Sequence, residues 1–244
     1  RRFEQHHRQR LGDTPQAFSK RLRGGMAVGQ PSQRVGVGHP FQRVAAGTQL
    51  VAVAQGAAVA RVQWSLTGVH NQLNALAAIA AAHHVGVPVS QAAQALANFQ
   101  NVKRRMELRG TVNGIAVYDD FAHHPTALRT TLDGLRRSLG ADARILAVFE
   151  PRSNTMKLGA MKSQLPWALE NADLAFCHTA GLDWDAADAL APLGVGPGQR
   201  AQTAPDIDTL VSQVQQAAKP GDHIVCMSNG GFGGVHDRLL RALS

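Results

Sequence analysis

Residues 107–150 read ELRGTVNGIAVYDDFAHHPTALRTTLDGLRRSLGADARILAVFE. Glu107–Val112 and Ile115–Asp120 flank Asn113-Gly114, a dipeptide that accepts positive φ at both positions and so predicts a hairpin. Pro125–Leu139 repeats its apolar residues at helical spacing. Pro125 falls in the first turn, where its missing N–H is not needed. Arg144–Glu150 is a continuous apolar run, as expected of a strand covered on both faces. The order is therefore strand, strand, helix, strand.

The same alternation continues downstream. A helix is expected over Lys162–Asn171, with Pro166 early in it or kinking it. A strand follows at Leu174–His178 and a short helix at Trp184–Leu190. The helix at Asp206–Ala218 gains from Asp206 and Asp208 at the positive end of its dipole. His223–Ser228 is the last strand and Gly234–Ala242 the closing helix. Such an alternation predicts an α/β fold, Rossmann-like, whose mainly parallel sheet is covered on both faces. Ligands bind such sheets at the carboxyl ends of the strands. Upstream the pattern differs. Gln49–Ala54 and Ala57–Leu66 form a hairpin around Gln55-Gly56. His70–His84 is an Ala/Leu-rich helix stopped by Gly86 and Pro88. Ser90 can cap a second helix running to about Phe99. The basic link Asn101–Arg105 marks a boundary, giving an N-terminal part at 1–105 and a second domain at 106–244.

Composition narrows the class. The 244 residues are 44% hydrophobic and 17% charged, which suits a chain with a buried core and excludes disorder. No run of 18 uncharged apolar residues is present, so no membrane span is expected. RRFEQHHRQR is followed by no apolar segment and gives no secretory signal. Cys177 and Cys226 lie inside apolar runs, as thiols of cytoplasmic proteins often do. Residues 1–63 hold ten Lys/Arg against two acids, and so carry the whole net charge of +8. A basic flank can hold a polyanion. Only Phe3, Phe18 and Phe41 offer base stacking there, so no nucleic-acid partner is expected.

The chemistry-bearing residues gather at the expected strand ends. Tyr118-Asp119-Asp120-Phe121-Ala122-His123-His124-Pro125 puts two carboxylates and two imidazoles between a buried strand and a helix start. An Asp there can take the hydroxyls of a ribose or hold Mg²⁺ through water. The alternative is local capping by Asp119 and packing of His124. Asn71 and Asn74 share a face in the first turn of their helix. Their amides can read an adenine edge, or Asn71 simply caps. In Arg104-Arg105-Met106-Glu107, an arginine at a domain junction can stabilise charge on a transferred phosphoryl group. A solvated linker is the plainer reading. Arg152 in Glu150-Pro151-Arg152-Ser153-Asn154-Thr155 can grip a carboxylate. Ser228-Asn229-Gly230-Gly231 opens a glycine-rich turn whose amides can meet an anion. Adjacent His pairs rarely chelate one metal, and neither HExxH nor paired CxxC occurs, so no protein metal site is expected. No Gly-Lys dipeptide occurs, so the GxxxxGK[ST] phosphate loop is absent from this chain.

Taken in order, GVHNQLNALAAIAAA, RRMELRG, YDDFAHHPTAL, VFEPRSNTM and MSNGGFGG resemble the Mur ligase superfamily, strongly over 62–244 and weakly over 1–61. EPRSNTMK and MSNGGFGG point within it to the branch whose amine substrate is a ready-made tripeptide. The resemblance implies that 1–105 is the end of the central, ATPase-type domain and that 106–244 is the third domain. It also implies the reaction. ATP with Mg²⁺ phosphorylates the lactyl carboxylate of UDP-N-acetylmuramate, and the amine of L-Ala-γ-D-Glu-meso-diaminopimelate attacks the acyl phosphate. By the same resemblance Asn71 and Asn74 lie near the adenine, Arg105 reaches the phosphates, Asp120 binds the ribose, and His123 and His124 stand on the nucleotide side. Arg105 and His123 are the expected catalytic groups. Arg152, Ser153, Asn154 and Asn229 are expected to meet the peptide, by their strand-end position. The related UDP-N-acetylmuramate–L-alanine ligase and a non-catalytic polyanion-binding module are the alternatives. Beginning at Arg1 and lacking the phosphate loop, the chain is expected to be a fragment that does not ligate alone.

Overall fold

The computed structural model describes residues 26–28, 48–54, 57–64, 66 and 68–244. Most of the basic flank, including Phe3, Phe18 and Phe41, lies outside them. The chain divides into two compact units, 1–100 and 101–244.

In the first unit β1 (Met26–Val28), β2 (Thr48–Ala54) and β3 (Ala57–Trp64) form an antiparallel sheet in that order. Two helices follow, α1 (Val69–His84) and α2 (Val89–Ala97). Val62, Trp64, Leu66, Ala75, Ile79, Ala92 and Ala93 make their core. Ser90 does not cap α2. The N-cap is Pro88, with extended backbone and no side-chain bond, and Ser90 falls inside the first turn.

The second unit holds six strands: β4 (Glu107–Val112), β5 (Ile115–Asp120), β6 (Ile145–Phe149), β7 (Leu174–His178), β8 (Ala201–Ala204) and β9 (His223–Met227). Their order across the sheet is β4-β5-β9-β6-β7-β8. Only β4 runs antiparallel, paired with β5 through a turn in which Asn113 (φ 49°) and Gly114 (φ 77°) are both left-handed. All other neighbours are parallel. The sheet is thus the one expected, with β8 added at its edge. Its four residues, AQTA, are two buried alanines flanking two half-buried polar residues and give no apolar run to detect.

Strand alternation sorts the core into two layers. Ile145, Ala147, Phe149, Val225 and Met227 meet Leu128, Leu132 and Leu135 of α3 (Pro125–Leu139) on one face. That face is completed by three short helices: α4 (Asn154–Lys157), α5 (Leu165–Ala168) and α6 (Ala186–Leu190). Leu146, Val148, Ile224 and Cys226 meet Leu210 and Val214 of α7 (Ile207–Ala217) and Val235 and Leu239 of α8 (Val235–Ala242) on the other. Burying one such aliphatic side chain contributes about 2 kcal/mol, so the two layers hold the strand ends firmly in place. The helix expected over Lys162–Asn171 shrinks to a 3-10 turn at Lys162–Gln164 and the single turn of α5, which begins around Pro166. A Pro has no N–H for an interior helical bond, so it opens the helix instead of sitting inside it.

Candidate active site

The carboxyl ends of β5, β9, β6 and β7 stand side by side, and polar residues follow each apolar run there. The Ser228 N–H donates to Asp120 O at 3.1 Å, and the Glu150 N–H donates to Met227 O at 3.3 Å, so the three central ends are laced together. At about 4.8 Å per strand, β5 to β7 spans roughly 14 Å, the reach of a short peptide or a nucleotide.

At the β5 end, alternation sends Asp119 and Asp120 to opposite faces. Asp120 is 3% exposed. Its Oδ1 accepts from the Ala122 N–H (2.8 Å) and the Thr131 hydroxyl (3.1 Å), and its Oδ2 from the Met106 N–H (2.9 Å). Burial raises its pKa, while these donors and Arg105 oppose the rise. The residue expected to bind the ribose therefore also has a structural role. The carboxylate first organises its own domain, tying β5 to α3 and to the segment before β4. Oδ2, with a single donor, keeps one acceptor position.

The two histidines adopt opposite tautomers. His123 Nδ1 is 2.9 Å from Phe121 O, which can only accept, so Nδ1 carries the hydrogen and Nε2 the lone pair. His124 caps α3 by accepting from the Ala127 N–H at Nδ1, which leaves hydrogen on Nε2. Burial, then the neighbouring His123, lowers the His124 pKa, which suits an accepting nitrogen. Arg105 is exposed, with its guanidinium 5.8 Å from the Phe121 ring centre.

At the β6, β7 and β9 ends, an open cleft is lined by Glu150, Pro151, Arg152, Lys157, His178 and Ala180. Glu150 is buried. Its Oε1 accepts from the Ser228 hydroxyl and lies 3.8 Å from Arg152 Nη1, and its Oε2 lies 3.6 Å from His178 Nδ1. The Gly230 N–H donates to Ser228 Oγ at 2.8 Å. Arg152 rests on Gly230, where a Cβ would collide with the guanidinium and make it shift. Two cations and an imidazole facing a cleft above one buried carboxylate are groups that can donate to an anionic ligand.

The remaining expected residues divide. Asn229 is half-buried, and its Oδ1 is buried without a hydrogen-bond partner among the described residues, leaving an acceptor for a ligand N–H. Asn154 is exposed at the first position of α4. Ser153 caps α4, its hydroxyl accepting from the Met156 N–H at 3.4 Å, which leaves its O–H to donate. Asn71 (half-buried) and Asn74 (exposed) sit in the first turn and a half of α1, in the other unit. Glu150, Lys157, His178 and Ser228 were given no role from sequence. Glu150, His178 and Ser228 were detectable as the first polar residues ending the runs RILAVFE, LAFCH and HIVCMS. Among the described residues, no group of three or more His, Cys, Asp or Glu can hold a metal ion.

Beneath the β5 end, on the α8 side, Asp119 is 2% exposed and faces Arg104 (3.2 Å), Arg109 (3.8 Å) and His236. His236 Nε2 comes within 3.3 Å of Asp119 Oδ1 yet makes no hydrogen bond, so the distance overstates the interaction. Burial lowers the His236 pKa; Asp119 and Asp237 oppose this, and Arg109 and Arg104 reinforce it. A lowered folded pKa places this group's contribution to stability fully above the free-imidazole value of about 6.5, to be lost as pH falls through and below it. Urea unfolding at pH 7.5 and at pH 5.5 is expected to show wild type losing more stability on acidification than His236→Gln. Equal losses would contradict this account.

Fold and site together define a class. Residues 104–230 match the Mur ligase, glutamate ligase domain, and the chain belongs to the Mur ligase family. It is 53% identical over 187 residues to the UDP-N-acetylmuramate–L-alanyl-γ-D-glutamyl-meso-2,6-diaminoheptandioate ligase of Escherichia coli K12, and 50% identical over 186 residues to that of Haemophilus influenzae. These alignments cover 76% of this chain and 40% of each relative, so the chain spans well under half of their length. Among solved structures, a murein peptide ligase from Psychrobacter arcticus superposes with a TM-score of 0.60 at 44% identity, covering 83% of this chain and 43% of that one.

Proposed function

We propose that this chain is the carboxyl-terminal part of an ATP-dependent ligase that joins UDP-N-acetylmuramate to the tripeptide L-Ala-γ-D-Glu-meso-diaminopimelate, acting in the cytoplasm with Mg²⁺ carried on the nucleotide phosphates. The observation that carries the reading is the cleft of Glu150, Arg152, Lys157 and His178. It offers cationic donors to a peptide rich in carboxylates, on a chain half identical to ligases named for that peptide.

In the reaction, the γ-phosphoryl group of ATP passes to the lactyl carboxylate oxygen, leaving ADP and an acyl phosphate. The peptide nitrogen bonds to the acyl carbon, the carbon–oxygen bond to phosphate breaks, and the amine gives up a proton. The residues here bind, orient and move that proton. Arg105, exposed and still cationic, neutralises charge on the phosphoryl oxygens. Asp120 Oδ2 has its spare acceptor position for a ribose hydroxyl, and Asn71 and Asn74 supply amides for the adenine. His123 Nε2 holds the lone pair that takes the amine proton. Arg152 and Lys157 fix peptide carboxylates, Asn229 Oδ1 accepts a peptide N–H, and the exposed Asn154 lines the approach.

The test uses the complete ligase that contains this chain, supplied with ATP, Mg²⁺, UDP-N-acetylmuramate and an equimolar mixture of tripeptide and L-alanine. ADP and the tripeptide-bearing nucleotide are the expected products. The alanine adduct, or no ADP above background, would overturn the reading.

A further inference from the structure

Arg104 and Met106 both have left-handed backbone, φ 59° and φ 50°, on either side of Arg105. A non-glycine residue in that region costs about 1 kcal/mol or more, so something must hold the pair. The holding contacts are dense. The Arg104 N–H donates to Glu107 Oε2 (2.8 Å), and Arg104 O accepts from the Phe121 N–H (2.8 Å). The Met106 N–H donates to Asp120, and Asn101 Nδ2 donates to Arg105 O at 2.6 Å. Across them reaches the Arg104 side chain. Its Nε donates to Asp119 Oδ2 (3.2 Å) and its Nη2 to Ser228 O (2.6 Å), so one side chain joins this segment to the ends of β5 and β9.

Neutralising Asp119 does not require this arrangement, because the Arg109 guanidinium faces the same carboxylate at 3.8 Å. What Arg104 adds is geometry. A guanidinium serves a carboxylate and a carbonyl along two fixed directions from different nitrogens, whereas an ammonium is a single point charge without that planar fork. Arg104 and Arg105 also approach one ring, with guanidinium carbons 5.1 Å and 5.8 Å from the Phe121 centre. Pairing Arg104 with Asp119 removes the repulsion that Arg105 would otherwise meet there.

We propose that Arg104 is a positioning residue: its fork between Asp119 and the Ser228 carbonyl locks residues 104–106 in the bent conformation that presents Arg105 beside Phe121. Its service to catalysis rests on the ligase reading; the lock itself does not.

The experiment has two arms. In this chain, amide hydrogen exchange is followed in Arg104→Ala and Arg104→Lys. The Met106 and Phe121 amides are expected to exchange roughly tenfold faster or more in both variants, with β6 and β9 amides unchanged. In the complete ligase, kcat is expected to fall by roughly tenfold or more in both, with KM for the peptide held. Unchanged exchange at Met106 and Phe121 overturns the lock, and so does equal acceleration across the sheet, which would mark general loss of stability. Rescue by lysine overturns the argument from the fork. Faster local exchange with normal kcat overturns the positioning role. A wild-type ligase that makes no amide would remove the ligase reading while leaving the exchange result intact.

Discussion

Asp120→Ala is expected to lower the melting temperature of the second unit by about 10 °C, whereas Asp119→Ala, one residue away, lowers it by no more than about 4 °C. The difference follows from what each carboxylate would leave behind. Removing Asp120 strands the buried Ala122 N–H and Thr131 hydroxyl and the half-buried Met106 N–H. Each buried orphan costs about 1–3 kcal/mol. The carboxylate was itself penalised by burial, as its raised pKa records, and losing that penalty offsets part of the sum. A net loss of about 3 kcal/mol remains, and a domain of this size shifts by about 3–4 °C per kcal/mol. Removing Asp119 instead frees Arg104 and Arg109, whose side chains are 27% and 34% exposed and can turn to solvent. Asp120→Asn should resemble the alanine variant, because an amide that keeps its oxygen on Ala122 and Thr131 must turn NH₂ toward the Met106 N–H. Thermal unfolding of the three variants is the measurement. Similar shifts for Asp119→Ala and Asp120→Ala would show that Asp120 does not carry the linker and loop contacts assigned to it.

This neighbouring pair also shows what a sequence discloses and what it withholds. RILAVFE and HIVCMS announce buried parallel strands because both faces must be apolar, and Asn113-Gly114 announces its hairpin because few other pairs accept two left-handed residues. The positions of the strand ends follow, and with them the region of the site. Which carboxylate of Asp119-Asp120 looks outward does not follow. Period-2 alternation gives them opposite faces, but both faces of this sheet are covered, so neither one is solvent. Ser153 is a second case. It stands beside Arg152 in the chain, yet a serine ahead of a helical turn also has a backbone N–H to satisfy, a capping role that its neighbours in sequence do not announce. Arg104 is a third. Of the run Arg104-Arg105, only the second arginine was expected to have a role. The structure turns Arg104 onto the carboxyl ends of β5 and β9 and leaves Arg105 exposed. The edge strand β8 escaped for a different reason: half-exposed and four residues long, it needs too few apolar side chains to leave a pattern.

Arg152→Ala in the complete ligase should raise KM for the tripeptide by roughly 30- to 100-fold while KM for ATP stays within about twofold. Arg152 is exposed, with 54% of its side chain open to solvent, so its loss should scarcely affect folding. Its value lies in the cleft, where a charge-assisted hydrogen bond to a carboxylate is worth about 1.5–3 kcal/mol and 1.4 kcal/mol is tenfold in affinity. Truncation also uncovers Glu150 Oε1, 3.8 Å from the missing guanidinium. The incoming carboxylate then meets a buried like charge in addition to losing its partner. Two features of the site sharpen the expectation. Gly230 leaves room for the guanidinium beside it, and Arg152→Lys, a point charge without the planar fork, should recover only part of the loss. Asp120 and Arg105 stand at the β5 end, beyond β9 from the cleft, so the nucleotide should not register the change. Initial rates at varied tripeptide and at varied ATP decide the matter. A tripeptide KM near that of wild type would remove Arg152 from the peptide site. A matching rise in the ATP KM would mean that the cleft and the β5 end act as one site, and that the division of labour argued from strand order is wrong.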